Sequence, residues 1–132
     1  MLFLSEEHAA RFWAVWRELR GWSEQEAGSL LYVLTAFEDV WREALRMGVD
    51  CGDVLRVSVV VELLPGASRG RRVLLNWVLG LLGMAEDEME PEALMILDRE
   101  HFWVAVGALL IRRYGVSVLM MSEGGEDVLL GR

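Results

Sequence analysis

The chain has 132 residues, with 13 arginines, no lysine, 21 acids and a formal net charge of −8. A hydrophobic share of 54% excludes general disorder, because even before its 13 glycines are added it exceeds the ~45–50% that ordinary domains reach with glycine counted. The acidity argues against direct nucleic-acid binding, whose affinity comes chiefly from Lys and Arg at phosphates.

The length suits one domain spanning 1–132, with a core that needs neither disulfides nor metals. The longest apolar runs, 73–85 and 102–111, fall short of the ~20 residues of a membrane span. The opening MLFLSEEH has no basic region and meets acids at Glu6, unlike a secretory signal. A lone Cys51 cannot form an internal disulfide, which agrees with a reducing compartment. The expectation is a cytoplasmic protein without membrane contact.

In chain order, residues 5–20 read as a helix capped by Ser5, with Ala9, Phe12, Trp13, Trp16 and Leu19 at helical spacing and Gly21 ending it. Ser23 and Glu26 form a capping-box pattern before an apolar stripe of Ala27, Leu30, Leu31 and Leu34. The pattern resumes through Phe37, Val40, Trp41, Ala44 and Leu45 to Gly48, as one long helix or as two with a break near Thr35. Glycines and Pro65 punctuate 48–70, and the β-branched run from Val57 to Val61 suggests a short strand or an irregular buried segment.

Arg71 to Leu82 reads as a helix closed by Gly83, with Leu74, Leu75, Val78, Leu79 and Leu82 inward. An acidic stretch, Glu86 to Glu92, leads through Pro91 into a short helix ending near Leu97. Asp98 caps a helix over 99–114 that is apolar nearly all round, which places it at the centre of the fold or in a contact with another subunit. Beyond Gly115 the chain begins strand-like, and 122–132 is expected to fray. The fold class is therefore all-α, with about five helices and an irregular or short β segment around 48–70.

Leu4-Ser5-Glu6-Glu7-His8 and Leu97-Asp98-Arg99-Glu100-His101 echo each other, and shared helix-start chemistry accounts for the likeness. The opening Phe3-Leu4-Ser5-Glu6-Glu7-His8 with Arg11-Phe12, the run Leu31-Tyr32-Val33-Leu34, and Leu97 to Phe102 followed by Ile111-Arg112-Arg113-Tyr114 resemble a family of small bacterial proteins of unknown function. Phages and prophages also carry that family. The resemblance covers both ends and hardly touches 48–70. It implies a mainly helical fold and a mobile-element setting, without an activity.

Several constellations could carry chemistry. His8 and His101, the only imidazoles, could share a metal with Glu7 and Glu100 if the two helix starts met, but no His-x-x-x-His or Cys-x-x-Cys spacing is present and local hydrogen bonds in two first turns are expected. Cys51 beside a histidine could act as a nucleophile, yet Asp50 and Asp53 would blunt its thiol. No catalytic residue, metal or cofactor is therefore assigned. Gly66-Ala67-Ser68-Arg69-Gly70 lacks the spacing and lysine of a phosphate loop. Arg69, Arg71 and Arg72 at a helix start oppose its dipole and call for an anion, supplied by the chain's own acidic stretch at 86–92 or by an external anion or acidic partner.

Six tryptophans exceed what one narrow stripe hides, and Trp is enriched at interface hot spots. Trp13, Trp16, Trp22, Trp41 and Trp103 are the candidate interaction residues. Together these features predict a non-enzymatic, phage- or mobile-element-associated interaction module, homodimeric and with a further protein partner of unknown identity. Two alternatives are an acidic DNA-mimic inhibitor and a small metal-dependent or cysteine hydrolase.

Overall fold

A computed structural model describes residues 2–19, 23–51, 54–84 and 91–120. Trp22, the expected frayed tail at 122–132 and most of the acidic stretch after Ala85 lie outside the described residues. The chain is mainly helical: α1 (Glu6–Trp16), α2 (Glu24–Thr35), α3 (Glu38–Arg46), α4 (Ser58–Leu63), α5 (Arg69–Leu81), α6 (Pro91–Met95) and α7 (Arg99–Tyr114), with a 3-10 turn at Leu64–Gly66. No described helix is long and apolar enough to cross a membrane.

Side-chain oxygens start four of these helices. Ser5, Ser23, Ser68 and Asp98 each accept the backbone N–H three residues on, satisfying a donor that the first turn leaves without a partner. At Ser23 only this half of the capping box forms, and Glu26 instead lies 3.9 Å from Arg112. Gly83 and Gly115, at φ +73° and +87°, turn the chain after α5 and α7 in a backbone region that favours glycine.

The helix count departs from the expected five because two segments divide differently. Thr35 donates to the Leu31 carbonyl at 2.7 Å, Arg11 of α1 donates to the Thr35 and Ala36 carbonyls at 2.8 and 3.3 Å, and Phe37 is extended. With its last carbonyls taken by a neighbouring arginine, α2 stops there and α3 starts afresh. The β-branched run is helical rather than extended: Val59, Val60 and Leu63 of α4 are buried, a helical spacing that tertiary burial imposes over local propensity. The expected β segment is thus replaced by a helix, and the described extended pairing is a two-residue antiparallel bridge, β1 (Asp50–Cys51) with β2 (Val54–Leu55). The expected strand-like start after Gly115 is a helical turn over 117–120.

The central helix is α2. Every residue from Ala27 to Ala36 is buried, and α7 packs along it more extensively than any other helix. The two approach closely at two glycines. A Cβ built on Gly28 would lie 2.5 Å from Val116 Cγ2 and 2.9 Å from Ile111 Cγ2; one on Gly107 would lie 2.6 Å from the Tyr32 ring. Tyr32, fully buried, crosses α7 where Gly107 leaves room.

Gly107→Ala is therefore expected to destabilise the protein by at least about 1–3 kcal/mol through overpacking. Gly80→Ala, at an exposed helical glycine with open space around it, should stabilise by about 0.5–1 kcal/mol. Thermal unfolding of both variants checks the pair; equal stability of Gly107→Ala and the parent would remove the close crossing as a constraint.

Candidate functional site

The two histidines sit in separate environments. His8, at the first turn of α1, is fully buried; its Nδ1 accepts the Leu4 N–H at 3.1 Å, so its Nε2–H donates to the Tyr32 carbonyl at 2.9 Å. Burial lowers its pKa to about 4, with a smaller opposing contribution from the Tyr32 carbonyl, so the ring is neutral at pH 7. Phe3 meets it edge-on at 4.9 Å. The Tyr32 hydroxyl and the Trp103 indole N–H both donate to the Leu2 carbonyl, each at 2.6 Å. The first residues are thereby tied into the core by polar groups that are all partnered.

His101 lies at the first turn of α7, where the starts of α3, α5 and α7 converge. Its Nδ1–H donates to Asp98 at 2.7 Å, which leaves Nε2 to accept from Arg71 Nη1 at 2.8 Å. Arg71 also donates through Nε and Nη2 to both carboxylate oxygens of Asp39, at 2.9 and 2.7 Å. Phe37 is stacked on the His101 ring at 4.6 Å and carries the Arg71 guanidinium 4.2 Å from its centroid. The Arg71 hydrogen bond holds the Asp39 carboxyl below its usual range, and the bonds from the His101 backbone and ring do the same for Asp98. The close approach of α5 also depends on Gly70, where a Cβ would meet the His101 ring at 3.3 Å.

One of the three helix-start arginines has its anion among the described residues, while most of the acidic stretch at 86–92 lies outside them. Arg71 is paired with Asp39 of α3, and the planar guanidinium uses its fork inside the protein. Arg72 is exposed and donates to the Ala67 carbonyl at 3.3 Å. Arg69 is exposed beside a small cavity of about 330 Å³ between the start of α5 and the α6–α7 connection. Among the described residues no group of three or more His, Cys, Asp or Glu side chains is placed to hold a metal ion. The α3 carboxylates are interleaved with arginines and paired with them, Glu38 with Arg42 and Glu43 with Arg46.

The tryptophans divide. Trp41 is buried at 7% exposure, so the expectation that it offers an interaction surface is corrected: α3 turns it inward beside Ala44. Trp13 and Trp16 are half-buried, packed edge-on and stacked respectively against Phe12. Trp103 is half-buried and tied to Leu2.

An outward apolar stripe lies on α7. Phe102, Val106 and Leu109, followed by Arg113, fall within about 60° of arc at 100° per residue, away from the buried Val104, Ala108 and Ile111. Phe102 and Leu109 are 40% and 44% exposed. On the α5 side, Trp77 is half-buried and donates its indole N–H to the Ala105 carbonyl at 2.9 Å, while Arg112 donates to the Leu81 carbonyl at 2.9 Å. Trp77, absent from the residues singled out by sequence, thus borders this face. Its signal was the spacing Val73-Trp77-Leu81, offset from the buried Leu74, Leu75, Val78 and Leu79. Comparisons with protein-family models, curated proteins and solved structures give no match.

The His8 environment has a pH consequence. The unfolded ring protonates near 6.5 and the folded one only near 4, so the unfolded state binds more protons between those values and stability falls as pH falls through that window. The full effect is roughly 3 kcal/mol, complete near pH 4 and absent above about pH 7. Chemical denaturation of the parent and His8→Gln at several pH values reads it as a difference between the two. A difference constant from pH 7 to pH 4 would show that His8 does not carry it.

Proposed function

We propose that the chain is a non-enzymatic interaction module that self-associates through the outward face of α7. The observation carrying this reading is the stripe Phe102, Val106, Leu109, whose spacings of four and three residues are those of a helix-packing seam, with Phe102 and Leu109 left part-exposed by the described residues. Trp77 at the border of the stripe supplies the kind of large, half-buried side chain on which interface energy concentrates. The resemblance at both chain ends adds the setting, a small protein of the kind carried by phages and prophages. The DNA-mimic alternative gains less support, since the α3 carboxylates come paired with arginines rather than as an uninterrupted acidic face.

Sedimentation velocity across a concentration series is expected to show a dimer for the parent chain. A Phe102→Glu/Leu109→Glu variant should be monomeric with its helical circular dichroism intact, because both side chains are already part-exposed in the monomer. A parent chain that stays monomeric throughout, or a double variant that dimerises equally well, would overturn the reading.

A further inference from the structure

A second surface differs in chemistry from the α7 face. Between α3, α4 with its 3-10 turn, and the start of α5 runs a half-open groove of about 680 Å³, within the size range of ligand-binding clefts. Its floor is apolar, built on Leu63 and Leu75, both nearly fully buried, with Val40 beside them. Its rim carries Asp39, Glu43 and Glu62 against the single guanidinium of Arg71. Arg71 is bound in both directions, to Asp39 and to His101, so it neutralises one carboxylate and presents no spare charge to an anion. Glu43 meets only the exposed Arg46, at a pair open to water, and Glu62 is exposed with no ion pair among the described residues. An apolar floor beside one carboxylate without an ion pair among the described residues, Glu62, and a second, Glu43, held only by a water-exposed arginine, matches an apolar group that ends in a cation and disfavours an anionic occupant.

We infer that this groove receives an Arg or Lys side chain, flanked by apolar residues, from a helical segment of a partner protein. The stem of such a side chain covers apolar surface while its charged tip reaches the rim, and the groove wall from Asp39 of α3 to Met47 just after it is about 12 Å long at 1.5 Å per residue, two turns of an apposed helix. The site is separate from the α7 stripe, so it serves a heterologous partner whether or not the chain self-associates.

The test uses the full chain and two capped ten-residue peptides of Leu and Ala, one with two arginines a turn apart and a twin with glutamates in their place, followed by amide chemical shifts. The arginine peptide should give saturable shifts at Val40, Glu43, Leu63 and Leu75, weakening with added salt, and the twin should not. Glu62→Gln should weaken the arginine peptide about threefold and Glu43→Gln/Glu62→Gln about tenfold, in line with partly exposed pairs. Both variants should unfold at the parent temperature, since neither carboxylate is buried. Equal shifts from both peptides, shifts confined to α7, unaltered binding by the double variant, or no groove shifts at millimolar peptide would each overturn the proposal.

Discussion

The fold depends on how closely α2 and α7 cross. Two helices ordinarily pack with axes some 8–10 Å apart, set by the side chains between them. Here Gly28 and Gly107 remove side chains on opposite partners of the crossing, and Tyr32 and the Ile111–Val116 corner fill the space released. The remaining helices are hung on this pair. α1 reaches α2 through Arg11 at its last carbonyls and His8 at Tyr32, and α5 reaches α7 through Trp77 and Arg112. Because α2 is enclosed along its length, any outward displacement of α7 would open apolar surface along the whole axis of the molecule, not at one contact.

Polar atoms specify this apolar core. Buried donors and acceptors cost more when left without partners than they contribute when paired, and the chain answers with a chain of ties among distant segments: Leu4 to His8, His8 to Tyr32, Tyr32 and Trp103 to Leu2. The opening Phe3-Leu4-Ser5-Glu6-Glu7-His8 thereby has a physical explanation in which each feature is used to seat the first residues: a buried ring, an amide donor, a helix cap, acids at the positive helix end and a neutral imidazole. The second such sequence, at Leu97 to His101, uses the same cap but sends its imidazole to Arg71 and Phe37. Equivalent local chemistry thus supports two unrelated long-range contacts.

What could be read from sequence follows from the range of the interactions involved. Ser5 and Asp98 were legible as caps because their partners lie three residues away, and the inward rows of α5 were legible as helical spacing. The partner of Arg71 was not, since Asp39 lies 32 residues away and resembles any other acid until α3 and α5 are side by side. Nor was α4: a run of valines favours a strand locally, and only the neighbours that bury Val59, Val60 and Leu63 reverse the preference. Trp41 and Trp77 exchanged roles for the same reason, because the packing of the other helices decides which side of a stripe is covered.

The apolar excess of the composition is not distributed evenly between the two apolar helices, and charge explains where the surplus can be exposed. α2 has neighbours on every side and hides its whole circumference, whereas α7 is covered along only part of its own. A chain of net charge −8 repels its own copies, which any self-contact must offset. The α7 stripe carries no carboxylate, and the charges bracketing it along the same face are Arg99 and Arg113. The carboxylates of α3 and α4 instead surround the groove. Apposition of two copies through α7 would remove apolar area from water without a carboxylate from the stripe itself, while the groove beside Glu62 would stay available for a cationic partner. On the proposed reading, one face of the molecule would offset self-repulsion while another would select a cationic partner.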